Sequence, residues 1–422
     1  MLLRMRNQRL RKIPAIRAIA VAPIIFLCIF LLTGCVNLLE GEMESITAHR
    51  ITAPSRPPTE QTTVSDYNEF VATVIRLITE HETSSQLLFF HDGDDINEEL
   101  ERARFEITGE HPIGAFAVSE LTLSATRIVT AYEIDIGIEY KRTKEQIDSI
   151  VTVSTERFMR AQLQGIMSSY KEEAIFRSTL QVDEDDITLL VNETYYGNPQ
   201  SIVMLPVVAV EIFPDAGVDR IYMIQFGYTE NQSILQRYGE LLTAYIQRNV
   251  EQVAGNTDSE ILLSLVSMLA ETIDFDERTA RTTPTHGSQN LSATAFGALM
   301  RGRAVGEGFA MAFKALTEEL GFTCYIVLGE LDGMVHAWNI ISLYGDYYHI
   351  DVSMCAFIGL EAAFLKTDED FEEMLYTWDR ESTVLCEGEL TLADIMLPED
   401  PDQTGDNASV NGTDGEDSSE ED

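Results

Sequence analysis

Tryptophan, cysteine and histidine are scarce in this 422-residue chain, which has 2, 5 and 7 of them. Cys28 and Cys35 lie near the start, leaving Cys324, Cys355 and Cys386 for the body of the protein. An odd set of three implies no disulfide framework. Basic residues are also few, 29 against 70 acidic ones, for a formal net charge of −41. A surface of that sign repels nucleic acid and anionic lipid headgroups, so no nucleic-acid partner is expected. The apolar run at 18–32 is shorter than the ~20 residues that a spanning helix needs.

That run has its own meaning, because Arg4, Arg6, Arg9, Arg11, Lys12 and Arg17 precede it and no acidic residue interrupts it. This is the charge pattern of an export signal at 1–34. It ends in Leu32-Thr33-Gly34-Cys35, which resembles the bacterial lipobox. The resemblance implies cleavage before Cys35, lipidation of its thiol, and a protein held on the extracytoplasmic face of the cell membrane. Removal of 1–34 leaves 23 basic and 70 acidic residues, a net charge of −47. Residues 35–66, with Pro54, Pro57, Pro58 and several Thr and Ser, suit a flexible tether. At the other end, 399–422 hold ten carboxylates and one aliphatic side chain larger than alanine. Such a tail cannot bury enough apolar surface to fold and reads as disordered.

About 330 residues remain between tether and tail, room for two or three domains. An α+β fold is expected from the alternation of strand-like and helix-like periods. Tyr132, Ile134, Ile136 and Ile138 alternate within 128–140, and 144–169 then carries apolar residues at helical spacing. The order returns with Tyr222, Ile224 and Phe226, followed by a helical stretch at 231–253. Tyr140 and Tyr228 close the two strands 88 residues apart, which reads as a duplicated strand-plus-long-helix module within 67–255. Two acidic clusters in this half need no metal. His91-Asp92-Gly93-Asp94-Asp95-Ile96-Asn97 puts Ile96 and Asn97 where a calcium loop requires a ligand and a glycine. Asp183-Glu184-Asp185-Asp186 reads as a helix start, where carboxylates meet free amides.

The chemistry is concentrated in 256–398. A helical stretch at 258–272 leads through Gly302-Arg303-Ala304-Val305-Gly306-Glu307-Gly308-Phe309 into a helix that Gly321 closes. A strand from Cys324 follows, then His336-Ala337-Trp338-Asn339 and Tyr347-Tyr348-His349-Ile350-Asp351. This order resembles the transglutaminase-like superfamily of papain-type folds, over roughly 258–386. The resemblance implies a triad of a helix-opening Cys, a His at a strand start and an Asp on the next strand. Here His336 would be the acid/base and Asp351 its orienting acceptor. Trp338, Glu307 and Asn339 would belong to the substrate cleft. The logic of such a site is a thiolate stabilised by a helix amino terminus and an imidazolium held by a carboxylate.

The nucleophile position, however, is Gly306, which has no side chain to attack a carbonyl. Cys324 lies at the far end of the same helix, some 20 Å away by the usual rise. Cys355 is nearer but reads as a small buried hydrophobe. The glycines of 302–308 do not form a nucleotide loop, since no Gly-Lys-Ser/Thr follows them. No cofactor and no metal are expected. Three readings stay open. The first is a non-catalytic surface lipoprotein gripping a peptide, protein or cell-wall component. The second is a cysteine-protease or transglutaminase-type enzyme with a non-standard nucleophile. The third is an envelope scaffold acting through its amino-terminal modules.

Overall fold

The structure is a computed structural model that describes residues 62–90, 95–282 and 285–396. The signal, Cys35, all but the last residues of the tether, the start of the acidic 91–97 segment and the acidic tail lie outside the described residues. Among those described, no helix is long and apolar enough to cross a membrane.

The amino-terminal half opens with β1 (Thr62–Val64), α1 (Tyr67–Glu80), β2 (Ser84–Phe89), α2 (Ile96–Phe105), α3 (Pro112–Ala117), β3 (Val118–Ile128), β4 (Ala131–Tyr140) and α4 (Lys144–Asp148). It continues with β5 (Val151–Thr152), α5 (Glu156–Ser168), β6 (Glu173–Ser178), α6 (Glu184–Gly197), β7 (Val207–Phe213), β8 (Arg220–Gly227) and α7 (Gln232–Val250). The two sets form separate four-stranded sheets of like topology, β1-β2-β4-β3 and β5-β6-β8-β7. In each, the first pairing is parallel and the others antiparallel. The starts Thr62 and Val151, Ser84 and Glu173, Val118 and Val207, and Ala131 and Arg220 are each 89 residues apart. Thr63-Val64-Ser65 even reappears as Thr152-Val153-Ser154. The chain is therefore duplicated over a longer span than the two strands indicate, and at 89 rather than 88 residues, because β8 ends at Gly227 and not at Tyr228.

The expected single helix over 144–169 is instead two helices with a strand between them. Thr143 and Thr155 each open a helix by accepting a backbone N–H, from Gln146 and Phe158. The β-branched run Ile150, Val151, Thr152 and Val153 between those caps favours extended backbone, and β5 pairs there with β6. The strand expected over 128–140 is likewise a hairpin, because Val129 at φ 47° turns the chain and leaves Ile128 in β3. Asp95 and Asp183, one from each acidic cluster, are equivalent helix caps: Asp95 accepts from Asn97 and Glu98, and Asp183 from Asp186.

The remainder comprises α8 (Asp258–Thr272), β9 (Asp274–Phe275), α9 (Glu277–Thr282), α10 (Ala295–Arg301), β10 (Arg303–Ala304) and α11 (Gly306–Glu319). Then come β11 (Cys324–Leu331), β12 (Met334–Leu343), β13 (Asp346–Ile350), α12 (Val352–Ile358), α13 (Leu360–Ala363), α14 (Asp368–Glu373), β14 (Tyr376–Trp378) and α15 (Leu392–Met396). The last four strands form an antiparallel sheet ordered β13-β12-β11-β14. The fold class is α+β, as the sequence predicts.

Helix α11 is the hub. It is apolar on nearly all sides, with Phe309, Met311, Ala312, Phe313, Ala315 and Leu316 buried, which suits a helix enclosed by other elements. Gly308 is required for close approach, since a Cβ there would lie 2.3 Å from the Ser292 carbonyl oxygen. One apolar core runs from the second repeat through α11 and the final sheet. A second core fills the first repeat and takes in Ile175, Ile221 and Met223 from the sheet of the second.

Candidate functional site

Two adjacent strands and a helix start bring the expected dyad together. His336 sits on β12 opposite Gly329 of β11. Asp351 follows directly after β13, where it is the cap of α12 rather than a strand residue. The His336 Nε2–H donates to Asp351 Oδ2 at 2.6 Å. Asp351 is fully enclosed, and its carboxylate accepts three further hydrogen bonds. Tyr376 Oη donates to Oδ2 at 2.8 Å, and Ser353 Oγ and the Met354 N–H donate to Oδ1 at 2.7 and 3.0 Å. Burial alone would raise the pKa of this carboxyl. The facing His336 and the bonds from His336, Ser353 and Met354 outweigh it and hold the carboxyl below its ordinary 3.8. Asp351 is thus an ionised anchor for one edge of the imidazole. The other edge, Nδ1, has no hydrogen-bond partner among the described residues.

That free edge faces Gly306 at the start of α11. A Cβ built on Gly306 would lie 2.6 Å from both Nδ1 and Cε1 of His336, and 3.3 Å from the Ala337 carbonyl oxygen. The imidazole therefore fills the volume that a cysteine side chain would need. No thiol among the described residues replaces it. Cys324, Cys355 and Cys386 are free and buried. Burial pushes the Cys324 thiol up to about 12, and burial together with the nearby Asp351 charge pushes Cys355 higher still. A protonated, enclosed thiol is not a nucleophile.

The three residues assigned to the cleft take other roles. Trp338 is 1 % exposed and is roofed by Phe371, Tyr376 and Trp378, so it forms the packed floor beneath the dyad and not a cleft wall. Asn339 is fully enclosed and ties β12 to α11 by donating from Nδ2 to the Ala310 carbonyl at 3.0 Å. Glu307 is buried rather than solvated at the helix start. Its Oε1 accepts from Tyr196 Oη at 2.9 Å and from the Gly287 N–H at 3.1 Å. Burial raises this carboxyl to about 7, against the lowering effect of those two bonds. The resemblance implies that all three line the cleft, but it carries no information about what packs over them.

A second His–Asp pair, which the motifs do not indicate, lies behind Trp338. The Trp338 Nε1–H donates to His349 Nδ1 at 2.9 Å, and His349 Nε2 contacts Asp368 Oδ1 at 2.8 Å. Asp368 Oδ2 accepts from Arg380 at 2.6 Å. Ligand atoms of His349, Asp368 and Cys386 lie within 4.8 Å of one another, a spacing compatible with a metal. The Trp338 bond opposes that use. It occupies the Nδ1 lone pair, so the neutral ring carries its proton on Nε2 and donates it to Asp368, which leaves no lone pair for a cation. Burial lowers the pKa of His349 and keeps the ring neutral. No motif in the sequence marks this pair, and only the fold joins His349 to Asp368.

No family model matches the chain, and no curated protein matches it. Among solved structures, one described as a TGase is 13 % identical, with a TM-score of 0.26 over 52 % of this chain and 60 % of that one. A chain from Cytophaga hutchinsonii, described as a candidate cysteine protease, is 11 % identical with a TM-score of 0.23, over 41 % of this chain and 66 % of that one. This chain thus spans about 60 % of the length of the first. Similarity at this level adds nothing to the reading of the site, which stands on the motifs and the geometry.

Proposed function

We propose that this protein is a lipid-anchored, non-catalytic member of the transglutaminase-like superfamily. It holds a peptide, free or part of a protein or of the cell wall, at the groove beside His336. The observation that carries the reading is the site around Gly306. A complete His336–Asp351 dyad faces a helix start with no nucleophile, and the ring occupies the space that one would need. Loss of a nucleophile removes orders of magnitude of rate while leaving binding contacts in place. The imidazole Nδ1 remains as a polar contact for an extended peptide. The lipobox-like Leu32-Thr33-Gly34-Cys35 supports anchoring outside the cytoplasm.

The test is to offer the purified protein a glutaminyl peptide with a primary amine, and separately the soluble peptides released from cell wall. No ammonia release and no cleavage are expected, together with binding of a peptide that His336→Ala weakens. Turnover that disappears in His336→Ala would overturn the non-catalytic reading. For the anchor, Cys35→Ala is expected to move the protein from the membrane fraction to the soluble fraction, and unchanged fractionation would refute lipidation there.

A further inference from the structure

A short segment that the motifs do not account for is tied to the elements around His336. Residues 286–290 are largely half-buried and tied at both ends. The His286 Nε2–H donates to the Gly329 carbonyl at 3.2 Å, and Gly329 is the direct cross-strand partner of His336. The next residue, Gly287, donates its N–H to Glu307, the chain neighbour of Gly306. The segment thus bridges β11, which pairs with the strand of His336, and the start of α11, which the His336 ring abuts. Beyond the crossing, Gln289 fastens the segment to the second repeat, with Nε2 donating to the Leu205 and Gly227 carbonyls at 3.0 and 2.7 Å. Gly287 adopts φ 70°, and a Cβ there would lie 2.7 Å from Leu205 Cδ2. Glycine therefore lets the segment lie flat against the second repeat while still reaching Glu307.

We infer that residues 286–290 are an inhibitory strap, which closes the groove over His336 and must swing away before a peptide can reach the imidazole. The ties suit a reversible closure. They are a few hydrogen bonds to backbone carbonyls and one carboxylate, with no large side chain of the strap fully buried. Bonds of this kind are individually weak against solvent, so the open form is reachable. A strap of this kind taxes ligand affinity by the fraction of molecules that are closed. It also gives the second repeat a role in the site, since Gln289 is gripped there and not by the dyad-bearing part.

The inference rests on the reading of the groove as a binding site, so its test uses a probe that needs no ligand. Diethyl pyrocarbonate acylates accessible neutral imidazoles, and peptide mapping by mass spectrometry reads each histidine separately. In the wild type, His336 is expected to react slowly. Gln289→Ala is expected to raise its rate roughly tenfold, equivalent to about 1.4 kcal/mol of strap closure, and His286→Ala to do likewise. His349, fully enclosed, is the control and stays unmodified in a folded variant. The same variants are expected to bind the cell-wall peptides more tightly than the wild type. If amide exchange at 286–290 accelerates in Gln289→Ala or His286→Ala but the His336 rate does not change, the segment does not cover the imidazole and the strap is refuted. If His336 becomes reactive yet no peptide binds, the strap stands and the binding function fails.

Discussion

Replacing Gly306 with alanine is expected to destabilise the protein by about 2 kcal/mol, the scale of a charge-assisted hydrogen bond lost on displacement of its donor. Elsewhere at a helix start, alanine for glycine is neutral or mildly stabilising, because glycine carries extra backbone entropy. Here the new Cβ would overlap the His336 ring at 2.6 Å. The ring cannot slide aside freely, because its far edge is bonded to Asp351 at 2.6 Å. It must rotate out of that bond. The check is a double-mutant cycle by urea unfolding: Gly306→Ala is costly alone, but nearly neutral or stabilising in a His336→Ala background. Equal effects in both backgrounds would show that the imidazole does not occupy the nucleophile volume. The same clash explains why Gly306→Cys alone is not expected to restore a thiolate–imidazolium pair.

The second large effect belongs to Asp351. Asp351→Asn leaves an amide where four donors converge from His336, Tyr376, Ser353 and the Met354 N–H. At least one donor then faces another donor in an enclosed site, for a cost of about 3 kcal/mol or more. The pH dependence follows from the sign of the shift. The folded carboxyl titrates below its ordinary 3.8, so the folded state binds this proton less readily than the unfolded chain. Its contribution is fully present above pH 3.8 and is lost as pH falls through the lower folded value. Unfolding free energies measured from neutrality downward should therefore converge for wild type and Asp351→Asn in acid. Parallel curves would mean that Asp351 is not the ionised anchor of the ring.

Much of the site is legible in the order of residues along the chain. The pairing of His336 with Asp351 is what the resemblance of the Gly306, His336 and Asp351 segments to the transglutaminase-like motifs implies, and the structure brings the two side chains together. The boundaries of α8 and the closure of α11 near Gly321 follow equally from apolar period and glycine placement. Burial is not legible in the same way. Glu307 and Asn339 are polar in type, and nothing local tells that Tyr196 from the second repeat and the Ala310 carbonyl cover them. The split of 144–169 is hidden because the caps Thr143 and Thr155 compete with a helical period that continues across them.

The sequence by itself determined the α+β class, the repeated order of strand and helix, and the absence of a side chain at Gly306. These depend on short-range period, turn chemistry and residue identity, which a linear chain carries. Only the tertiary structure decided that the imidazole has closed onto Gly306, that Trp338 is a floor rather than a wall, and that 286–290 lie beside His336. Those facts arise from side chains far apart in the chain competing for one volume, and the winner is set by packing that no local pattern encodes.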